Sequence, residues 1–518
     1  MNLIKDPWIP VRLADGSSHL IRPAEIVLAE NTPRAIDSPR ADFDGALAQF
    51  LIGLLQTAFA PPDDDTWIDR LEQPPSVAEL DQAFAPYAQA FELGGEGPRF
   101  MQDPSVMDEK YDHRSIDRLL IETNETHFNK PGRIQHLCPG CAGTALFTLQ
   151  INAPEGGRGH YTSIRGGGPL TTLLKLDDSN EINATLWDHI WLNILPIAQF
   201  VTDDSSAIFP WLAPERFIKA RTGTFIYPED IPFAHYYWGM PRRIWLQADS
   251  KPNQSCDLCG TTIDIAYTGY RTRPNGIHYA KEPVWNHPLS PHRLQGKTKD
   301  LQVEHPHPGG LSYRYWLGYV MGNNEEQEAV VNARNVRHFL TQRNADEQCI
   351  VWAFGYDMKS NKARCWYETT LPLYRVPEPI RRCFEQRVEQ LIRGANTVAS
   401  MLRTAVKEAW FKRPGDARGD TGFLADGFYQ HTEADFYARL PRLIESIPEG
   451  KDRSVLTEWH QILQGAALTL FDEWAASGDL AFADPARIAR AHDKLIRQLN
   501  GKKLKNLLSL PTTQEKVA

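Results

Sequence analysis

The feature that most constrains the fold is a pair of cysteine knuckles far apart in one chain. Cys138-Pro139-Gly140-Cys141 and Cys256-Asp257-Leu258-Cys259 are both C-x-x-C, and 114 residues lie between them. A two-residue gap lets both sulfurs of a knuckle reach one cation, and two knuckles make a four-sulfur tetrahedral set that suits zinc. The separation is far too long for a compact finger. One structural zinc ion would therefore clamp two distant segments of a single domain, and four thiolates would leave no position open for substrate. The competing reading is two unrelated pairs, one of them a redox dithiol. Neither pair lies in a thioredoxin-like unit, which favours the clamp. His136 is a less favoured substitute ligand. Cys349, Cys365 and Cys383 stand singly, and Cys383 falls on an apolar helix face as a core residue would.

The rest of the chain has room for such a domain and more. It has 518 residues, 42% hydrophobic and 23% charged, which is ordinary for a globular chain. Seven cysteines are too sparse for a disulfide framework. The apolar start is broken by Lys5, Asp6 and Pro7, and no long apolar run follows, so neither a signal peptide nor a membrane span is expected. A cytoplasmic protein with no membrane partner is the resulting expectation.

Texture divides the chain near residue 375. Residues 1–375 are rich in Pro, Gly and aromatic residues and mix strand-like runs with helices. Asp15-Gly16 between Trp8–Leu13 and His19–Ile21 predicts a hairpin. Leu47, Phe50, Leu51, Leu54 and Leu55 predict a helix over 42–58. Residues 376–518 carry amphipathic periodicity. The first helix runs from Pro379 to about Trp410, with Phe384, Val388, Leu391, Ala395, Val398 and Leu402 on one face. Others are expected from Thr432, from Asp452 and from Asp484-Pro485, the last reaching Leu504. The predicted fold is α+β: a large irregular mixed N-terminal domain with a zinc clamp, then a C-terminal four-helix bundle.

Two further signals bear on function. A glycine run, Glu155-Gly156-Gly157-Arg158-Gly159-His160 and then Arg165-Gly166-Gly167-Gly168, matches neither a P-loop nor a dinucleotide fingerprint. It would let another backbone or a ligand approach closely, or simply turn the chain. Net charge is −9, which excludes coating nucleic acid by bulk charge. Yet Lys130, Arg133, Arg158, Arg165 and Lys175 face one acid between His127 and Lys175. Arg271, Arg273, Lys281, Arg293, Lys297 and Lys299 face two between Ile265 and Asp300. Both stretches flank the knuckles, so the clamp would bring two basic segments together as a local anion site, with nucleic acid the natural ligand. No H-E-x-x-H, G-x-S-x-G or kinase signature occurs, so no catalytic set is expected.

The order of several elements resembles one family. The opening Met1-Asn2-Leu3-Ile4 and Trp8-Ile9-Pro10-Val11 precede Phe128-Asn129-Lys130-Pro131-Gly132, the first knuckle, the glycine run, and the second knuckle. Tyr267-Thr268-Gly269-Tyr270 and Trp285 to Pro291 follow. Together they resemble the large subunit of the type I-E CRISPR Cascade complex over nearly the whole chain. The resemblance implies a non-enzyme that sits with guide RNA and other Cascade subunits. It implies reading of the protospacer-adjacent motif on double-stranded DNA, help in opening the duplex, and recruitment of a helicase–nuclease. It also implies DNA contacts at Phe128, Asn129 and Lys130, and at the loop Gly156, Gly157, Arg158 and Gly159. The family's basic finger falls on Arg271 or Arg273, because Pro274 occupies the lysine position. The strand-separating wedge falls on Asn361, Lys362 and Ala363 beyond Gly355-Tyr356. Two rivals remain at this stage: a zinc-stabilised nuclease, and an architectural subunit without DNA readout.

Overall fold

The computed structural model describes residues 1–121, 130–157, 159–177, 183–197, 204–218, 224–282, 284–295, 300–322, 330–342, 349–359, 362–416, 420–476 and 484–511. The chain divides into two compact units. One is Met1–Pro306 with Asn324–Thr370, and the other is His307–Asn323 with Leu371–Ala518. The architecture is α+β, as the texture of the sequence predicted.

The first unit is built on short antiparallel sheets around one buried helix. The Asp15-Gly16 hairpin forms as β1 (Ile9–Leu13) and β2 (Ser18–Ile21), with Ile9 opposite Ile21. β1 also pairs β3 (Pro33–Ile36). The predicted helix spans Ala41–Ala58, and nearly its whole circumference is buried, so it is the unit's central strut. Phe50 at its middle meets Trp8, Phe91, Phe147 and Trp238 edge-on at 5.2–5.7 Å between ring centroids. Such edge-to-face pairs add to the burial that aromatic area already provides.

The sheet that leads out of the second knuckle has the order β4-β7-β6, where β4 is Asp112–Ser115, β6 is Arg243–Ser255 and β7 is Thr262–Arg273. A second, of order β12-β11-β5, joins β5 (Thr171–Leu176), β11 (Cys349–Lys359) and β12 (Lys362–Pro372). A third sets β8 (His292–Gln295) between β10 (Val330–Val331) and β9 (Asp300–Val303).

In the second unit the helices Glu378–Trp410, Phe423–Ser446, Asp452–Ala476 and Pro485–Leu499 pack together. The apolar positions read from sequence in the first of these line its buried face. Two boundaries differ from expectation. The second helix begins at Phe423, not Thr432. Leu424 and Phe428 extend its buried face upstream, and the Thr432 hydroxyl donates to Phe428 O inside the helix instead of capping it. Asp435, three residues on from Thr432, pairs with Arg439 one turn further along the helix. The last helix stops at Leu499, and after Asn500-Gly501 a separate turn, Lys502–Leu507, carries Leu504. Cys383 is half-buried, not core.

The segment His307–Asn323 enters this unit from the middle of the chain. Tyr313 is fully buried, stacks on Phe436 at 4.3 Å and shares a hydrogen bond of 2.8 Å with the Thr432 hydroxyl. Among the described residues, no helix is long and apolar enough to cross a membrane.

Candidate metal centre and nucleic-acid interface

The four knuckle cysteines converge. All four Sγ atoms lie within 4.8 Å of one another, and Cys138 Sγ is 3.7 Å from Cys259 Sγ. A zinc ion bound at about 2.3 Å by four sulfurs sets them about 3.8 Å apart, so the residues present fit the ion. None of the cysteines is in a disulfide.

The first knuckle opens the helix Pro139–Asn152, with Cys138 as its cap and Pro139 in its first turn. Cys141 N donates to Cys138 Sγ at 3.3 Å. A helix opening at a C-x-x-C is also how redox dithiols are built, but here the second knuckle completes the set. The two knuckles are tied together by backbone. Leu137 and Tyr267 exchange both hydrogen bonds, at 3.0 and 2.9 Å. The Asp257 carboxylate accepts from Gln135 N and His136 N at 2.7 and 2.9 Å. His136 faces Asp257 and is not one of the converging ligands.

From Tyr267, β7 runs away from the metal centre to Arg271 and Arg273, about 13–20 Å further on at strand spacing. Two residues apart on one strand, these arginines share a face of the sheet. Arg271 donates to Glu109 O at 3.2 Å, and Arg273 to the Tyr111 hydroxyl at 2.9 Å with its guanidinium 4.9 Å from the Tyr111 ring. Both are half-buried, and neither forms a salt bridge among the described residues. Tyr111 as their brace carries no sequence signal.

The glycine loop docks on the end of the same strand. Asn275 N donates to Gly159 O at 2.7 Å, and the Tyr161 ring stacks on His278 at 3.8 Å. Below the loop, buried Arg242 donates to Pro154 O, and burial lowers its pKa to about 10, so it stays charged. A Cβ on Gly156 would strike Arg242 and His160. One on Gly159, where φ is +80°, would come 2.6 Å from Pro274 Cβ. Gly157 differs: its φ is +89°, yet no neighbour among the described residues comes within 4 Å of where its Cβ would be. Packing thus requires two of these glycines, and the third faces open space.

The other expected residues fall out unevenly. Phe128, Asn129, Arg158 and Asn361 lie outside the described residues, as do Lys297 and Lys299. Lys130 and Arg133 are exposed, on a segment anchored where Gly132 N donates to Asp117 at 2.9 Å. Arg165, expected among the basic anion-facing residues, is instead in the core at 3% exposure. Arg293 pairs with buried Glu304, and Lys175 lies over the Trp352 ring. These three are therefore spent inside the unit. Lys362 is exposed at the first position of β12, while Ala363 is 2% exposed. Tyr356 anchors the base of this hairpin, its hydroxyl donating to the Asp42 carboxylate.

This combination, a mixed unit followed by a helical one, is a fold shared with solved structures. The chain is similar to CasA of Thermus thermophilus (TM-score 0.70, 17% identity, covering 96% of this chain and 99% of that one). It is also similar to Cse1 of Thermobifida fusca (TM-score 0.72, 15% identity, 99% of each chain) and to a chain of a CRISPR RNA-guided surveillance complex (0.65, 15%, 97% and 99%). Residues 2–470 match the family described as CRISPR-associated protein Cse1. The chain belongs to the Cse1 family, which bears out the resemblance drawn from its motifs.

Proposed function

We propose that this chain is a non-catalytic subunit of an RNA-guided antiviral complex. It reads the protospacer-adjacent motif on double-stranded DNA, helps open the duplex and recruits the helicase–nuclease. Membership of the Cse1 family and the likeness to a surveillance-complex chain support a place beside guide RNA and other Cascade subunits.

The observation that carries DNA readout is Gly157. It holds a left-handed conformation with open space on its outer side, next to the strand end bearing Arg271 and Arg273. A side-chain-free turn beside guanidinium groups that form no salt bridge among the described residues suits the minor groove, where backbone can approach base edges while cations meet phosphates. Lys362 on the β11–β12 hairpin is the wedge side chain this reading uses; Ala363 is too buried for that role. The metal is zinc in this proposal. It holds the Cys138 and Cys256 segments together, so that the loop before the first knuckle and β7 face one duplex.

Asparagine tolerates positive φ, so Gly157→Asn adds a side chain on the outer face without straining the fold. In the reconstituted complex it is expected to cut motif-dependent duplex binding at least tenfold, with the melting temperature unchanged. Binding equal to that of the native chain would sink the assignment. Arg271→Ala with Arg273→Ala should weaken binding for all motifs and lower the slope of affinity against salt.

A further inference from the structure

Arg165 is buried in the first unit without a counter-charge among the described residues. Its guanidinium donates to Gln49 Oε1 at 2.6 Å, Thr171 Oγ1 at 3.0 Å and Ser290 Oγ at 3.1 Å, all neutral acceptors. A guanidinium has five N–H groups, so two remain without a partner among the described residues. No carboxylate there pairs with it, and the charged neighbours add to the positive field: Arg334 lies close enough to bias both Tyr237 and His287. His287 is itself neutral, since its Nδ1 accepts from Leu289 N at 3.2 Å.

Arg165 lines a small cavity with Gln49, Gln150, Tyr237, Gly239 and His287, and there is room for about one water-sized occupant. Tyr237 is 3% exposed, and its hydroxyl has no hydrogen-bond partner among the described residues. Two observations thus meet at one cavity: a buried cation short of negative charge, and a buried donor aimed at nothing. Water would satisfy the hydroxyl but not the charge, and an isolated buried charge is far costlier than an unsatisfied hydroxyl. We propose that this cavity is a site for a monovalent inorganic anion of halide size, held by the Arg165 guanidinium and the Tyr237 hydroxyl. The anion neutralises the core of the first unit beneath the glycine run. The site is independent of the DNA reading.

The test uses the full chain exchanged into gluconate buffer and titrated with sodium chloride or bromide at constant ionic strength. The melting temperature of the native chain is expected to rise saturably, by about 4 °C at a hundredfold excess over the dissociation constant. Tyr237→Phe keeps the ring and loses only the donor, so its half-saturating halide concentration should rise roughly tenfold. Crystals grown in bromide should show anomalous scattering between Arg165 and Tyr237. A melting temperature indifferent to the anion, an identical response from Tyr237→Phe, or water at the cavity in bromide crystals would each overturn the proposal.

Discussion

Asp44 shows how a single residue near the core sets a pH response. Its carboxylate accepts from Ser38 N at 2.9 Å, but burial, with Asp37 and Glu368 nearby, raises its pKa to about 6. In the unfolded chain the same group titrates near 3.8. The folded state therefore binds the proton more tightly between those values, and this contribution to stability is lost as pH rises through about 6. Asp44→Asn retains the acceptor without the charge. It is expected to melt higher than the native chain at pH 7.5 and to match it at pH 4; a variant that melts lower at pH 7.5 would remove the argument. The sequence around Ser38 and Asp44 supplies Asp37 as one repelling charge, but the burial comes from helix packing and the further repulsion from Glu368, over 300 residues away.

At the scale of elements, glycines mark where backbones approach. Gly394, in the helix Glu378–Trp410, lies against the Lys502–Leu507 turn and the Asp452–Ala476 helix. A Cβ there would come 2.9 Å from Leu508 and 3.5 Å from Leu463. Gly394→Leu overpacks this crossing and should destabilise the second unit by about 1–3 kcal/mol, read from chemical denaturation. Gly465, with open space around its Cβ position, is the matched control, and Gly465→Ala should stabilise slightly. Equal effects from both would mean that the crossing is not tight. Sequence periodicity found the helix faces, because a buried stripe repeats locally. It misplaced the second helix start, since Thr432 and Asp435 have capping chemistry and only the packing of Leu424 and Phe428 overrides it.

Across the whole molecule, two long-range devices hold the first unit. The four-cysteine cluster joins segments that share a β-bridge. The purified chain is expected to bind one zinc ion, and Cys256→Ser or a strong chelator should release it and lower the melting temperature. A metal-free chain that melts like the loaded one would show that the bridge suffices alone. The second device is buried neutral histidine. Burial lowers His189 to about 3 and His235 to about 4, and holds His287 well below its usual value. Unfolded, each takes up a proton near 6.5. Their contribution to stability is present above pH 6.5 and lost as pH falls from there toward the folded values. Denaturant stability should therefore decline below pH 6.5, by up to about 4 kcal/mol per pH unit if all three act together. A flat profile between pH 6.5 and 5 would contradict this.

What the amino-acid sequence determined by itself is what short-range chemistry encodes. The C-x-x-C spacings, the Asp15-Gly16 turn, the amphipathic stripes and the order of motifs were legible because each acts within a few residues. They sufficed for the α+β class and for the family. Only the tertiary structure decided which basic residues face outward. Arg165, Arg293 and Arg271 are alike as letters, but one is sealed in the core, one is neutralised by Glu304, and one is braced at a strand end with no salt bridge among the described residues. It also carried Tyr313 into the helical unit and left Gly157 open while Gly156 and Gly159 are packed. The physical reason is common to all of these. Burial and charge pairing depend on partners from distant positions, and neither the cost of an unpaired charge nor the space around a Cβ is defined until the chain has folded.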